Sequence, residues 1–499
     1  MLFNSAAFVL FFPVVFLGYL VLPKRLRPLF LLLASYFFYM SWQPKYALLI
    51  AGNTLVSYCG ALLLERFAGE DRRQQNIRKR IVTGCTCLSF AALFCFKYFD
   101  FFLENVNAVL RAFGGGGMTN PLNLLLPVGI SFYTFQSIGY LIDVSRRKIA
   151  AEHNLIDYAL FVSFFPQLVA GPIERSSSLL KQLKSLKEKT PVTMEGLSSG
   201  FALMLWGYFQ KMILADRLSI LVDGIYDALP FAGTIETLAA MFGFSLQIYF
   251  DFAGYSAIAI GCARMMGIHL MQNFRTPYFA TSISDFWHRW HISLSTWFRD
   301  YLYIPLGGNR KGRVRKYVNL MITFLLSGLW HGADWTFVFW GGLHGFFQII
   351  GDLKKPAEER LMRSLGLKED AGSFRFFRIL GTFLLTSFAW IFFRAESMKQ
   401  AFLLIRRMVS GFDPWNLMNG NLYTYGLDRL EMGVLLAGLL IVFAVSCLCK
   451  RREEDFGSLL YRQNLPARFV CMILLATLVL VFGKYGVHFD SQQFIYFAF

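Results

Sequence analysis

Charge is scarce in this chain: 16% of its 499 residues are Asp, Glu, Lys or Arg, against 56% hydrophobic and 17% aromatic, with a mean hydropathy of +0.46. That balance excludes an ordinary water-soluble domain and fits a polytopic membrane protein. Patterned cysteine is missing too. The eight cysteines, at 59, 85, 87, 95, 262, 447, 449 and 471, lie in or beside apolar runs without the paired spacing of a zinc site, and read as small buried hydrophobes. There is no His-Glu-x-x-His zinc signature, no evident internal repeat and no long low-complexity tract, and the one Gly-x-Ser-x-Gly match, Gly196 to Gly200, opens an apolar run of helical length where a nucleophile elbow needs a strand-to-helix turn. A zinc peptidase, a serine acyl-enzyme of the hydrolase type, a repeat array and an extended disordered region are set aside on these grounds.

Positive charge is plentiful, at a net +17, yet it does not form a nucleic-acid patch. The basic residues gather in short stretches at 23–27, 66–80, 146–148, 307–316 and 450–452, between apolar runs, as the positive-inside rule predicts for cytoplasmic loops. Tracing the runs gives about eleven to thirteen membrane segments in one domain covering 1–499, with a motif-rich part at about 122–350 and C-terminal helices at 375–499. Both termini fall on the extracytoplasmic side. The first apolar run has no basic leader or small-residue cleavage site and reads as a retained span. Between Pro127 and Pro172 the apolar character is broken by Gly129, Gly139, Pro166 and Gly171, which predicts short or re-entrant helices around a cavity. The stretch 174–189 sets Arg175, Lys181, Lys184, Lys187 and Lys189 beside Leu179, Leu180, Leu183 and Leu186. It reads as an amphipathic helix on the inner membrane surface, or as a docking face for an anionic donor or carrier protein. Asp251, inside an apolar run, requires a partner.

The run from Tyr317 to Ile350 would measure roughly 50 Å as one helix, against a hydrocarbon core of about 30 Å, so it must break. Ser327 to Asp334 supplies the break and carries His331. An ionisable group at membrane depth is costly and is either functional or tied to a neighbouring helix. An imidazole with a reference pKa of about 6.5 can take a proton from a hydroxyl near neutral pH. Trp330 and Trp335 are expected to wall it off. Five of the seven histidines, His269, His288, His291, His331 and His344, lie close together in the chain. Asp285, His288 and His291 at i, i+3, i+6 raise a metal site as an alternative. Their aromatic and arginine neighbours suit recognition and packing at least as well, so no metal is expected.

The longest motif is Asp285-Phe286-Trp287-His288-Arg289-Trp290-His291-Ile292-Ser293-Leu294-Ser295-Thr296-Trp297-Phe298-Arg299-Asp300-Tyr301. With Ile304 to Arg310 and Leu329-Trp330-His331-Gly332-Ala333, it resembles the membrane-bound O-acyltransferase (MBOAT) family. The similarity is strongest to the bacterial branch that O-acetylates alginate and peptidoglycan, with the teichoic-acid D-alanylation proteins as cousins. Pro127 to Phe135, Phe165 to Glu174 and the terminal Phe494 to Phe499 fit the same branch. The resemblance covers nearly the whole chain and is weakest between Asp352 and Glu431.

The resemblance implies an all-α, polytopic fold: a ring of transmembrane and re-entrant helices around a central funnel and tunnel. It implies a catalytic role for His331 and a second functional role for His291. Trp287, Arg289, Trp290, Ser293, Ser295, Arg299, Asp300, Asn309 and Trp330 are expected along the substrate path. It gives His288 no catalytic role, because the family more often has arginine or asparagine at that position. His344, among glycines, reads as a helix-packing residue. The implied activity is transfer of an acyl group, acetyl in this branch, from a cytoplasmic donor to hydroxyls of an extracytoplasmic cell-envelope polysaccharide, or to a partner transferase outside. The donor would be acyl-CoA or an acyl-carrier protein, with no tightly bound cofactor. The expected site is the bacterial cytoplasmic membrane. A transporter or channel whose pore carries histidines is the alternative.

Overall fold

A computed structural model describes residues 1–67, 69, 71–122, 124–169, 171–364, 366, 371–485 and 495. Ala170 and, apart from Ile495, the terminal motif at 494–499 lie outside them. The chain divides into two units, 1–200 with 259–271, and 201–258 with 272–499.

The first unit holds α1 (Ala6–Val21), α2 (Arg27–Met40), α3 (Ala47–Arg66), α4 (Arg72–Leu93), α5 (Phe99–Ala112), α6 (Ile130–Ser145), α7 (Leu155–Ser163), α8 (Phe165–Leu168), α9 (Ser176–Ser185) and the start of α10 (Met194–Tyr208). A wide π-helical turn, Phe94–Tyr98, joins α4 to α5, so 72–112 is continuously helical. The basic residues at 72–80, expected in a loop, are instead the first turns of α4. Asp71 caps them by accepting from the Gln74 N–H, and Arg, Gln and Lys are good helix formers. Arg78 turns inward to donate to the Val144 and Ser145 carbonyls.

The helix α6 starts on Gly129, whose backbone is left-handed (φ 76°) and where a Cβ would lie 2.6 Å from the Leu168 carbonyl oxygen. Only glycine fits both conditions. The amphipathic α9 buries Leu179, Leu180 and Leu183, and two lysines tie its C-terminal end to buried carboxylates. Lys184 pairs with Glu152 at 2.8 Å and Lys187 with Asp157 at 2.6 Å. The hydrogen bond to Glu152 holds the Lys184 ammonium above its usual range.

The second unit takes the rest of α10, then α11 (Asp216–Asp227), residues 234–258 of α12 (Thr234–Met265), α13 (Ile283–Arg289), α14 (Ile292–Phe298), α15 (Gly312–His331), α16 (Trp335–Ser364), α17 (Gly372–Arg394), α18 (Met398–Val409), α19 (Arg429–Arg452), α20 (Phe456–Tyr461) and α21 (Leu465–Phe482). A π-helical turn, Phe209–Ala215, links α10 to α11 and carries Lys211. Its ammonium reaches Asp251 at 2.6 Å and Asp216 at 2.9 Å, all three groups buried, which supplies the partner that Asp251 requires. The backbone N–H of Ile495 also donates to Asp251, at 2.8 Å.

The long apolar run breaks at 332–334, as its length demands. Asp334 caps the new helix by accepting from the Thr336 N–H at 2.7 Å. Among the described residues, five helical stretches are long and apolar enough to cross a membrane: Pro44–Arg66, Arg72–Ala112, Gly372–Arg394, Arg429–Arg452 and Leu465–Phe482. The chain is a helical, multi-pass membrane protein.

Candidate active site

Two short helices and one helical hairpin, all in the second unit, build the site. Ser282 caps α13 by accepting from the Asp285 N–H, while the Asp285 carboxylate accepts from the Thr281 N–H, a reciprocal arrangement that fixes the helix start. The helix stops at Arg289, Trp290 is extended, and His291 adopts the left-handed region (φ 42°, ψ 53°) before α14 begins. Asp285, His288 and His291 therefore do not share one helical face. Asp285 is held by Arg289 at 2.7 Å, and the exposed His288 places a ring nitrogen 2.6 Å from the Ser284 carbonyl oxygen.

The bend at His291 is fixed from a second segment. The Arg275 N–H donates to the Arg289 carbonyl and the Ile292 N–H to the Asn273 carbonyl, both at 3.0 Å. The Asn273 side chain accepts from the Ser293 hydroxyl at 2.7 Å and donates to Ser256 at 3.2 Å. Asn273 was not singled out in the sequence; a polar residue directly before an aromatic-rich segment was its one signal. Phe252 meets the His291 ring edge-on at 4.7 Å.

His331 is the last residue of α15 and is 3% exposed. Rings surround it: Trp330 at 4.9 Å, Trp340 at 5.1 Å and Phe393 at 5.4 Å between centroids. Trp335, expected as a wall, is 56% exposed at the start of α16, and the reversal at 332–334 brings Trp340 alongside instead. The hairpin is tight because Gly328 and Gly341 let the helices touch: a Cβ on Gly328 would overlap the Phe337 carbonyl, and one on Gly341 the Phe324 carbonyl. The His291 and His331 rings lie 6.3 Å apart, and His291 is fully buried. The two imidazoles are thus close neighbours in an enclosed layer.

A cavity of about 930 Å³ leads toward this pair. Along α15 its wall is Lys316, Leu320, Thr323 and Ser327, at spacings of three and four on one helical face, and the next position of that stripe is His331. Across from it stand Trp287, Ser295 and Arg299, three of the residues expected on the substrate path. His331, His291 and Trp330 sit in the enclosed aromatic layer beyond the wall. The others take different places. Trp290 is buried against Trp390 at 5.0 Å, Ser293 is bound to Asn273, Arg289 pairs with Asp285, and Asp300 pairs with Arg299 at 2.8 Å. Asn309 is exposed in the turn before α15. Asn319 anchors that turn through the Gly308 and Leu306 carbonyls, at 3.0 and 3.3 Å.

At the Lys316 end the described lining is basic, with Arg299, Lys316, Lys354, Lys355 and Arg378 against Asp352 and Glu358, although Arg299 also pairs with Asp300 and Lys354 with Glu358. Asp352 is already bound by Lys316 at 2.7 Å and by Tyr317 at 2.9 Å. A basic mouth, an apolar neck and two enclosed imidazoles at the far end suit a long anionic substrate that brings its reactive group to the histidines.

Residues 130–357 match the family model of the membrane-bound O-acyltransferases. The chain is 39% identical over 443 residues to the "probable alginate O-acetylase" of Pseudomonas aeruginosa, covering 89% of this chain and 81% of that protein. It is 35% identical over 439 residues to the peptidoglycan O-acetyltransferase of Helicobacter pylori, covering 82% and 80%. Similarity to the teichoic acid D-alanyltransferase of Streptococcus thermophilus is 30% over 264 residues, covering 49% and 62%.

Proposed function

This chain belongs to the membrane-bound O-acyltransferase family and is an O-acyltransferase, and from that premise we propose that it moves an acetyl group from a cytoplasmic thioester to the hydroxyl of an extracytoplasmic cell-envelope polysaccharide. The observation that carries this reading is the cavity stripe on α15, which runs from Lys316 to Ser327 with His331 at its next position.

In this reading the basic mouth faces the cytoplasm, in line with the positive-inside rule for the neighbouring 307–316 stretch. Its excess of cations holds the phosphates of an acyl-CoA. The thioester lies at the apolar inner end. The acceptor hydroxyl approaches from the opposite side of the membrane, and His331 takes its proton as the oxygen attacks the thioester carbonyl. The C–O bond forms, the C–S bond breaks, and the leaving sulfur picks up a proton. His291, beside it, positions the carbonyl or relays the proton from His331 to the sulfur. The same steps serve if the accepting hydroxyl belongs to an extracytoplasmic partner transferase that completes the modification. The protein acts in the bacterial cytoplasmic membrane with both termini outside.

The test is mass spectrometry of O-acetyl groups on envelope polysaccharides from cells expressing the wild type or His331→Ala at equal membrane abundance. The reading expects O-acetylation to disappear with His331→Ala. Unchanged O-acetylation overturns it, and acetyl-CoA movement without transfer in proteoliposomes would establish the transport alternative.

A further inference from the structure

We propose that Trp287, held in place by His344, is a removable partition between the donor cavity and the catalytic histidines. This rests on the reading of His331 as the reacting group and of the cavity as the donor path. The cavity wall contains Trp287, Phe324 and Ser327 but neither His291 nor His331. Trp287 is 9% exposed, so one face of its indole meets the cavity while the rest is packed. Its ring lies 5.8 Å from Trp340, and Trp340 lies 5.1 Å from His331. The indole thus stands one aromatic layer, that of Trp340, from the catalytic imidazole.

His344 supplies the hold. The Trp287 indole N–H donates to His344 Nδ1 at 3.3 Å, which requires the imidazole proton to sit on Nε2. His344 lies one helical turn beyond Trp340 on α16, fully buried, with its ring 5.0 Å from Trp340 and stacked on Phe286 at 6.2 Å. A packing role among glycines accounts for its burial but not for an acceptor aimed at the residue that closes the cavity. One hydrogen bond is a restraint that an entering thioester can displace. While the cavity is empty, the closed indole keeps water from the reacting pair, so an arriving thioester meets a dry site. His344 is accordingly a positioning residue acting through Trp287.

Cysteine accessibility in the full-length protein in nanodiscs, with the eight native cysteines replaced, tests this without relying on any donor. A small cationic methanethiosulfonate is the probe. Ser327→Cys, on the cavity side, labels readily whether Trp287 is present or not. His331→Cys, behind the partition, labels slowly when Trp287 is intact. If the open state is a minor one, populated at about a tenth or less, removing the partition by Trp287→Ala speeds labelling of His331→Cys about tenfold or more. His344→Leu does the same, and His344→Gln, whose side-chain oxygen can still accept the indole N–H, restores slow labelling. Should Trp287→Ala not give a monodisperse protein, Trp287→Phe, which keeps a ring but loses the donor, takes its place. Equal labelling of His331→Cys with and without Trp287, or an unreactive Ser327→Cys, overturns the proposal. A His331→Ala variant that still transfers acetyl groups overturns the catalytic reading instead, so the two failures are distinguishable.

Discussion

At His291 the backbone sits in the left-handed region, at φ 42°, which costs a residue with a Cβ about 1–2 kcal/mol. Asn273 and Ser293 hold that bend, and the conformation turns the ring to within 6.3 Å of His331. Such strain persists where the surrounding contacts over-determine it. Two opposite effects follow from one position. His291→Gly should be more stable than His291→Ala by about 1 kcal/mol, because glycine enters this region freely. Both should lose most acetyl transfer. Thermal unfolding of the purified variants, read beside transfer activity, checks the pair. Asn273→Ala should cost about 1–3 kcal/mol through the donors it orphans. It should also lower transfer further than an equally destabilising change remote from the site.

The α15–α16 hairpin is the element on which the site depends, since His331 ends one helix and Trp340 and His344 lie on the other. Gly328→Ala or Gly341→Ala forces the helices apart and should cost about 1–3 kcal/mol while reducing transfer. Gly84→Ala, with nothing near its Cβ position, should be neutral or slightly stabilising by the same measurement. A second element-level prediction concerns Lys211. Lys211→Met leaves Asp216 and Asp251 buried without their shared cation and should cost about 3–5 kcal/mol, seen as loss of folded protein in detergent. The hairpin's break was legible in the sequence, because an apolar run too long for one crossing contained Gly332 and the capping Asp334. Three features were not. The basic stretch at 72–80 looked like a loop since charge alone marked it, although its residues favour helix. Lys211 gave no sign that it faces two carboxylates, because a π-helical turn shifts the register by which helical neighbours are read. Trp340, not Trp335, walls His331, because the geometry of the reversal decides which tryptophan returns.

For the molecule as a whole, composition announced the membrane, and the motif around His331 and His291 pointed to the chemistry. A cavity was expected, and Trp287, Ser295 and Arg299 were expected along it, but the rest of its wall was not legible in the sequence, since α13 to α17 create it only by coming together and none of its lining comes from 127–172. Its basic mouth makes a prediction at this scale: Lys355→Glu with Arg378→Glu should raise the apparent KM for acetyl-CoA, more at low ionic strength than at high, with little effect on kcat. Initial rates at two salt concentrations check it. The central claim, that His331 activates the acceptor hydroxyl at the end of this cavity, is tested most directly by acceptor-dependent thiol release from acetyl-CoA. The protein would be purified in nanodiscs, and the wild type compared with His331→Ala. The account predicts a fall of about 10²-fold or more, with the variant folded and its donor affinity little changed. A folded His331→Ala variant that releases thiol at the wild-type rate would contradict it.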